Sequence, residues 1–113
     1  MRKLLLATTA VALTAGIASA EDIKIGVILG FTGPIESLTP PMAQGAELAM
    51  AEVSDSGALL GGSTVTSVRG DSTCIDSGAA TAVAERQITS DGVKGIMGAD
   101  CSGVTGAILS NVA

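Results

Sequence analysis

Histidine, tryptophan and tyrosine are absent from these 113 residues, and phenylalanine occurs once, at Phe31. Without His, imidazole metal sites and the common Ser-His or Cys-His nucleophile pairs cannot be assembled from this chain. Basic residues are also scarce: six Lys and Arg stand against eleven Asp and Glu, a formal net charge of −5, and the one basic cluster is Arg2-Lys3. No electrostatic footprint for a phosphate backbone remains, so nucleic-acid binding is not supported. The two cysteines, Cys74 and Cys101, are too far apart for a C-x-x-C redox motif. What is present in quantity is apolar sequence, 47% of the chain, with fifteen glycines. That is enough apolar surface to offset ordering entropy and to argue against disorder.

The first twenty residues read as an export signal. Met1-Arg2-Lys3 is a basic start, Leu4 to Ile17 is mostly apolar, and Ala18-Ser19-Ala20 is a small-residue A-x-A cleavage site, with cleavage expected after Ala20. The apolar stretch of about fourteen residues is shorter than the roughly 20 needed to span hydrocarbon. No Cys follows the cleavage site to carry a lipoprotein anchor. Removing Arg2 and Lys3 leaves four basic residues against eleven acidic ones, an acidic secreted product of 93 residues (113 less 20).

Within residues 21–113 the apolar pattern alternates between two periods. Ile23 to Gly30 is a short β-branched run suited to a strand buried on both faces. Thr39 before Pro40-Pro41 reads as an N-cap and first turn, and Met42, Ala46, Ala49, Met50 and Val53 as the inward stripe of a helix ending near Gly57. Thr64 to Arg69 is a second strand, reaching Gly70-Asp71. A second helix runs from about Ser77 with the stripe Ala80, Val83, Ala84 and Ile88, and stops at Asp91-Gly92. Val93 to Gly98 is a third strand, and Val104, Ala107, Ile108 and Val112 form a third helical stripe. The order β-α-β-α-β-α predicts an α/β fold, a doubly wound parallel sheet of three β-α units. Such sheets take ligands outside the carboxyl ends of their strands. The segments to inspect are therefore Phe31 to Pro41, Gly70 to Ser77 and Ala99 to Thr105.

Two nucleotide motifs are approached and missed. Gly26, Gly30 and Gly33 do not fit G-x-G-x-x-G, and Gly98 to Thr105 matches G-x-x-x-x-G-K-[ST] at every position except the lysine, which is Val104. Without that charge, and with Asp100 repelling phosphates, nucleotide hydrolysis is rejected and no cofactor is expected. What survives is a loop at a helix N-terminus, where free N–H groups and the positive dipole end favour an anionic ligand such as a carboxylate. Ser102 and Thr105 hydroxyls are candidate additional donors. The bland alternative is that Ser102 only caps the third helix.

Cys74 and Cys101, both just beyond strand carboxyl ends in an oxidising compartment, are expected to form a disulfide worth about 3.5 kcal/mol by loop-closure entropy. Two free thiols or a redox pair are the other readings. Glu47, Glu52, Asp55 and Glu85 are assigned to solvated helix faces. Asp71 and Asp100, at strand ends, are read as capping or bracing their loops rather than as a catalytic pair. No metal site is expected.

In their order and spacing these features resemble the type I periplasmic solute-binding proteins of ABC importers, the branched-chain amino-acid (Leu/Ile/Val) group. The residues that carry the resemblance are Glu21 to Gly26, the T-G-P at 32–34, Gly45, Ala49, the G-x-x-x-G at 57–61, Asp71, S-D-G-V-K-G-I-M-G at 90–98, and Cys101-Ser102. The resemblance implies that the chain is part of the N-terminal lobe of a type I periplasmic binding protein, 1–20 being signal peptide and 21–113 partial lobe. It also implies a Cys74–Cys101 disulfide, a Ser102 that hydrogen-bonds an amino acid's main-chain groups, and Leu38 lining the side-chain pocket, with Gly103 beside Ser102. The expected activity is non-enzymatic: a periplasmic binding protein handing an amino acid to an ABC permease and ATPase complex. A sensor or receptor domain of the same fold is the alternative, and a secreted flavodoxin-like enzyme a third. Two departures bear on specificity: Ser54 stands where the family usually has Asn, and Leu38-Thr39-Pro40-Pro41 replaces a Gly-containing loop, so amide, urea or other small-acid ligands also come into question. A third strand lacking its next neighbour would leave an apolar edge.

Overall fold

A computed structural model describes residues 19–113; the export-signal reading of residues 1–18 lies outside the described residues. The elements follow in the order β1 (Asp22–Leu29), α1 (Thr39–Asp55), β2 (Thr64–Asp71), α2 (Ser77–Arg86), a π-helical turn (Gln87–Asp91), β3 (Gly95–Gly98) and α3 (Ser102–Val112). The three strands form one parallel sheet in the order β2-β1-β3. Asp22 to Leu29 pair with Thr64 to Asp71, and Ile25 to Ile28 pair with Gly95 to Gly98. The chain steps from β1 to one side and then crosses over β1 to the other, so the sheet is doubly wound as expected. The carboxyl ends of all three strands meet on one edge.

β1 is central because it is the most apolar segment and can be covered on both faces. Its side chains alternate between two cores. Ile28 packs with Ala80, Ala84, Val104 and Ile108 beneath α2 and α3, while Val27 and Leu29 pack with Ala43, Phe31, Met50 and Met97 beneath α1. Gly92 ends the second helical segment in the left-handed conformation, φ 71°, as its sequence position predicts.

Three helical stripes differ from expectation. In α1, Met42 and Val53 are exposed and Ala49 faces solvent; the face toward the sheet is Thr39, Ala43, Glu47, Met50 and Ser54. These residues recur at spacings of 4, 4, 3 and 4, so the helical period was right and its phase was not. The phase is set by polar attachments that hydropathy does not register. The Thr39 hydroxyl donates to the Gly30 carbonyl at 3.0 Å rather than capping the helix, Glu47 meets β2, and Ser54 Oγ accepts from Val65 N at 2.8 Å and donates to Met50 O. In the second segment the stripe runs from Ala80 through Ala84 to Gln87, which is fully buried, while Ile88 is partly exposed. Gln87 lies over Gly26 and Gly70, where a Cβ on either glycine would collide with its amide, and its Nε2 donates to Val68 O at 2.7 Å. Two strand glycines thus make the hollow that a polar side chain fills. In α3, Val104 and Ile108 are buried as expected, but Val112 is 43% exposed beside the free edge of β3. β3 itself is four residues, shorter than the apolar run that starts at Val93.

Candidate functional site: the carboxyl edge of the sheet

Three loops leave the carboxyl ends of the strands, and each is tied to the other two. Asp71, the last residue of β2, accepts hydrogen bonds from Thr32 N at 3.2 Å, Thr32 Oγ1 at 2.6 Å and Thr73 N at 2.9 Å, linking the first loop to the second. Burial pushes the Asp71 carboxyl up, but these donors together hold it below the ordinary carboxylate range. Asp100 Oδ2 accepts from Gly30 N at 2.9 Å, linking the first loop to the third. The second and third are joined covalently, since Cys74 and Cys101 form a disulfide with 5.3 Å between their Cα atoms. Both aspartates therefore brace loops, the role assigned to them from sequence.

The second loop is held in an unusual course. Thr73 and Cys74 both adopt left-handed backbone, φ 56° and 69°, conformations that cost non-glycine residues energy unless surroundings enforce them. Here the Asp71 carboxylate, Ser72 Oγ on Cys74 N (3.2 Å), Thr73 Oγ1 on Asp76 N (3.1 Å) and the disulfide enforce them. The first loop comes so close that a Cβ on Gly33, φ 92°, would stand 2.6 Å from Thr73 O.

The three helix N-termini differ in how their first-turn donors are answered. α1 begins Thr39-Pro40-Pro41, and its two prolines carry no N–H. α2 is capped by Asp76, which accepts from Ala79 N at 2.9 Å. α3 has no side-chain cap at all: Cys101 is the N-cap residue, and Ser102 is not the cap but the first helical residue. The N–H groups of this first turn are thus left for another partner, and the helix dipole favours an anion there. Ser102 and Gly103 are both exposed at this end. Nothing lies within 4 Å of where a Cβ on Gly103 would be, so the approach is open.

The other predicted site residues are placed differently. The Thr105 hydroxyl donates back to the carbonyls of Ala99 and Cys101, closing the third loop, so its proton is committed inside the chain. Leu38, 60% exposed, is the N-cap residue of α1 at the far end of the first loop, with no hydrogen bond to α3. Glu47 is half-exposed but bonded to β2 rather than free on the helix face. Arg69 donates to both its oxygens at 2.7 Å, and Ser67 Oγ adds a third bond at 2.8 Å. The Arg69 and Ser67 donors hold the Glu47 carboxyl at about 2. The same guanidinium stands 5.5 Å from the Phe31 ring centroid and so braces the base of the first loop. Sequence reasoning missed this cluster, whose only signal was the single Arg in β2 opposite a helix glutamate. Among the described residues no group of acidic or Cys side chains is arranged to hold a metal ion. A groove lined by Ile88, Val93, Lys94, Ile96, Asn111 and Val112 lies along the free edge of β3, toward its amino end and away from these loops.

A parallel α/β sheet whose carboxyl edge gathers three cross-braced loops and the uncapped N-terminus of α3 defines a small-ligand-binding lobe. Comparison with known proteins gives the particular family: residues 22–113 match the Periplasmic binding protein family, and the chain belongs to it. It is 39% identical over 104 residues to Leu/Ile/Val-binding protein homolog 7 of Brucella abortus, covering 91% of this chain and 25% of that protein. It is 35% identical over 88 residues to the Leu/Ile/Val/Thr-binding protein of Salmonella typhimurium, covering 78% and 23%. Among solved structures it resembles LivJ of Streptococcus pneumoniae, a branched-chain amino acid transporter substrate-binding protein in complex with isoleucine, with TM-score 0.71 and 27% identity over 80% of this chain and 25% of that one. The fold is that of the N-terminal lobe of a type I periplasmic binding protein. The chain spans about a quarter of the length of the relatives it matches.

Proposed function

We propose that this chain is the N-terminal part of a periplasmic solute-binding protein that takes up a branched-chain or other small amino acid for an ABC importer, handing it to the permease and ATPase complex without chemical change. The observation that carries this reading is the uncapped N-terminus of α3, opening beside a disulfide-tied pair of loops on the ligand-receiving edge of the sheet. The names of the relatives, all Leu/Ile/Val-type binding proteins, support an amino-acid ligand and lend nothing to a sensor domain. Residues 1–20 are proposed as the signal peptide, cleaved after Ala20, and residues 21–113 as part of the first lobe.

In this reading the ligand carboxylate is received by the first-turn N–H groups of α3, with Ser102 Oγ as an added donor and Gly103 leaving room for close approach. Leu38 and the first loop face the ligand side chain. Thr105 acts behind the site by fixing the third loop. A second lobe supplies the remaining contacts and closes over the ligand, hinge closure signalling occupancy to the permease. Isothermal titration of the complete gene product with leucine, isoleucine and valine tests the reading. Micromolar or tighter binding of at least one is expected, and heat-silent titrations with no thermal stabilisation by any amino acid would refute it.

A further inference from the structure

Resting on that reading, we infer that Arg69 is a positioning residue for the side-chain end of the site: acting through the first loop rather than by contact, it decides how well the site tells a long aliphatic side chain from a short one. Ser67, Arg69 and Asp71 alternate along β2 and so share one of its faces. Each is bonded to something outside the strand. Ser67 Oγ and the Arg69 guanidinium donate to Glu47, in the middle of α1, at 2.8 Å and 2.7 Å. The same guanidinium lies 5.5 Å from the Phe31 ring centroid, and Asp71 accepts from the N–H and hydroxyl of Thr32. Phe31 and Thr32 open the first loop, and α1 follows its last residue, Leu38. Arg69 is therefore the β2 side chain that holds both ends of the segment carrying Leu38.

Between those ends the loop is closed on itself. The Thr39 hydroxyl on Gly30 O, at 3.0 Å, shuts its neck, and backbone bonds from Glu36 N to Gly33 O (3.3 Å) and from Leu38 N to Ile35 O (2.9 Å) tie its interior. A compact loop with its ends together carries a shift of its base out to its tip instead of absorbing it. The clamp beneath it suits the setting of geometry better than the holding of the fold. The Arg69 and Glu47 side chains are 45% and 31% exposed, and ion pairs so placed add little stability. The two-pronged bond nevertheless fixes direction as well as distance, which a lysine could not do. With Phe31 lying against the same guanidinium plane, the start of the loop and the helix after it are registered on one rigid group.

The test measures the affinities of leucine and alanine, which share a head group and differ in side chain, by titration and competition on the complete gene product, with ligand-free melting on the same preparations. Wild type is expected to prefer leucine. Arg69→Gln should reduce the leucine-to-alanine ratio by about tenfold, the scale on which an aliphatic pocket senses one carbon, while alanine affinity holds. Glu47→Gln should do the same, and the double variant should lose no more than either alone, because both open one clamp. Arg69→Lys, which keeps the cation near Phe31 but not the two-pronged bond, should fall between. Phe31→Leu, which keeps an apolar group against Val27 and Leu29 but removes the ring face, should also lower the ratio, and it serves where a charge variant does not fold. An unchanged ratio in these variants, a parallel loss of leucine and alanine affinity, or no wild-type preference would overturn the inference while leaving amino-acid binding standing. Failure of wild type to bind leucine, isoleucine, valine or alanine would overturn both.

Discussion

Replacing Gly103 by Ala separates a binding role from a structural one, because the two move in opposite directions. Gly103 is the second residue of α3, its backbone is helical, and no atom lies within 4 Å of a Cβ placed on it. Ala avoids the entropy that Gly loses in a helix, so Gly103→Ala should stabilise the fold by up to about 0.5–1 kcal/mol, less at a first-turn position than mid-helix. The same methyl stands over the uncapped N–H groups proposed to receive the ligand carboxylate. Losing one hydrogen bond to a charged group costs about 1.5–3 kcal/mol, and each 1.4 kcal/mol is about tenfold in affinity. Leucine affinity is therefore expected to fall by about one to two orders of magnitude while the ligand-free melting temperature holds or rises. Calorimetric melting without ligand, paired with isothermal titration on the same preparations, measures both. A variant that melts higher and binds as tightly as wild type would show that the α3 N-terminus does not receive the ligand.

Three further outcomes follow from other parts of the molecule. Replacing both cysteines by serine opens a cross-link spanning 27 residues and should cost about 3.5 kcal/mol of stability by loop-closure entropy, measured by denaturant titration; limited proteolysis of the double variant should show new nicking in residues 72–76, where the left-handed Thr73 and Cys74 lose their clamp. The Glu47 carboxyl is lowered from 4.5 to about 2 by its bonds to Arg69 and Ser67, so its stabilisation is complete above about pH 4.5 and is lost as pH falls toward 2. The pair is partly solvated, so the stability gap between wild type and Glu47→Gln should be about 1 kcal/mol or less at pH 6 and should close by pH 2; a gap that widens on acidification would contradict the assignment. Gly26→Ala should destabilise by about 1–3 kcal/mol through overpacking against Gln87, and Gln87→Ala in the same chain should recover part of that loss, a non-additivity that a double-mutant cycle would detect.

Much of this architecture was legible in the sequence because it depends on local period and on the cost of burying backbone. The run from Ile23 to Gly30 had to be a covered strand, Gly92 had to end a helix, and alternating strands and helices left a parallel, doubly wound sheet as the expected arrangement. The edge proposed to receive a ligand follows from that topology. The disulfide was expected from two cysteines just beyond strand ends in a chain whose first residues read as an export signal, and the bracing roles of Asp71 and Asp100 from carboxylates at strand termini.

Tertiary structure decided what depends on which groups meet across the chain. Hydropathy put Met42 and Val53 against the sheet, yet three polar attachments, Thr39 to Gly30, Glu47 to Arg69 and Ser54 to Val65, turned α1 so that Ala43 and Met50 face inward. No local signal told that Gln87 rather than Ile88 would be buried, because its hollow is made by Gly26 and Gly70 on β1 and β2. Thr105 looked like a free donor at a helix start, and the turn of the third loop spends its proton on Ala99 and Cys101. The absence of histidine and the scarcity of basic residues excluded whole classes of chemistry from sequence alone, since side chains that are not there cannot be supplied by folding. Which of the remaining donors stay open to a ligand was settled only where the loops converge, because a hydrogen-bonding group is available or spent according to neighbours that the fold brings from elsewhere.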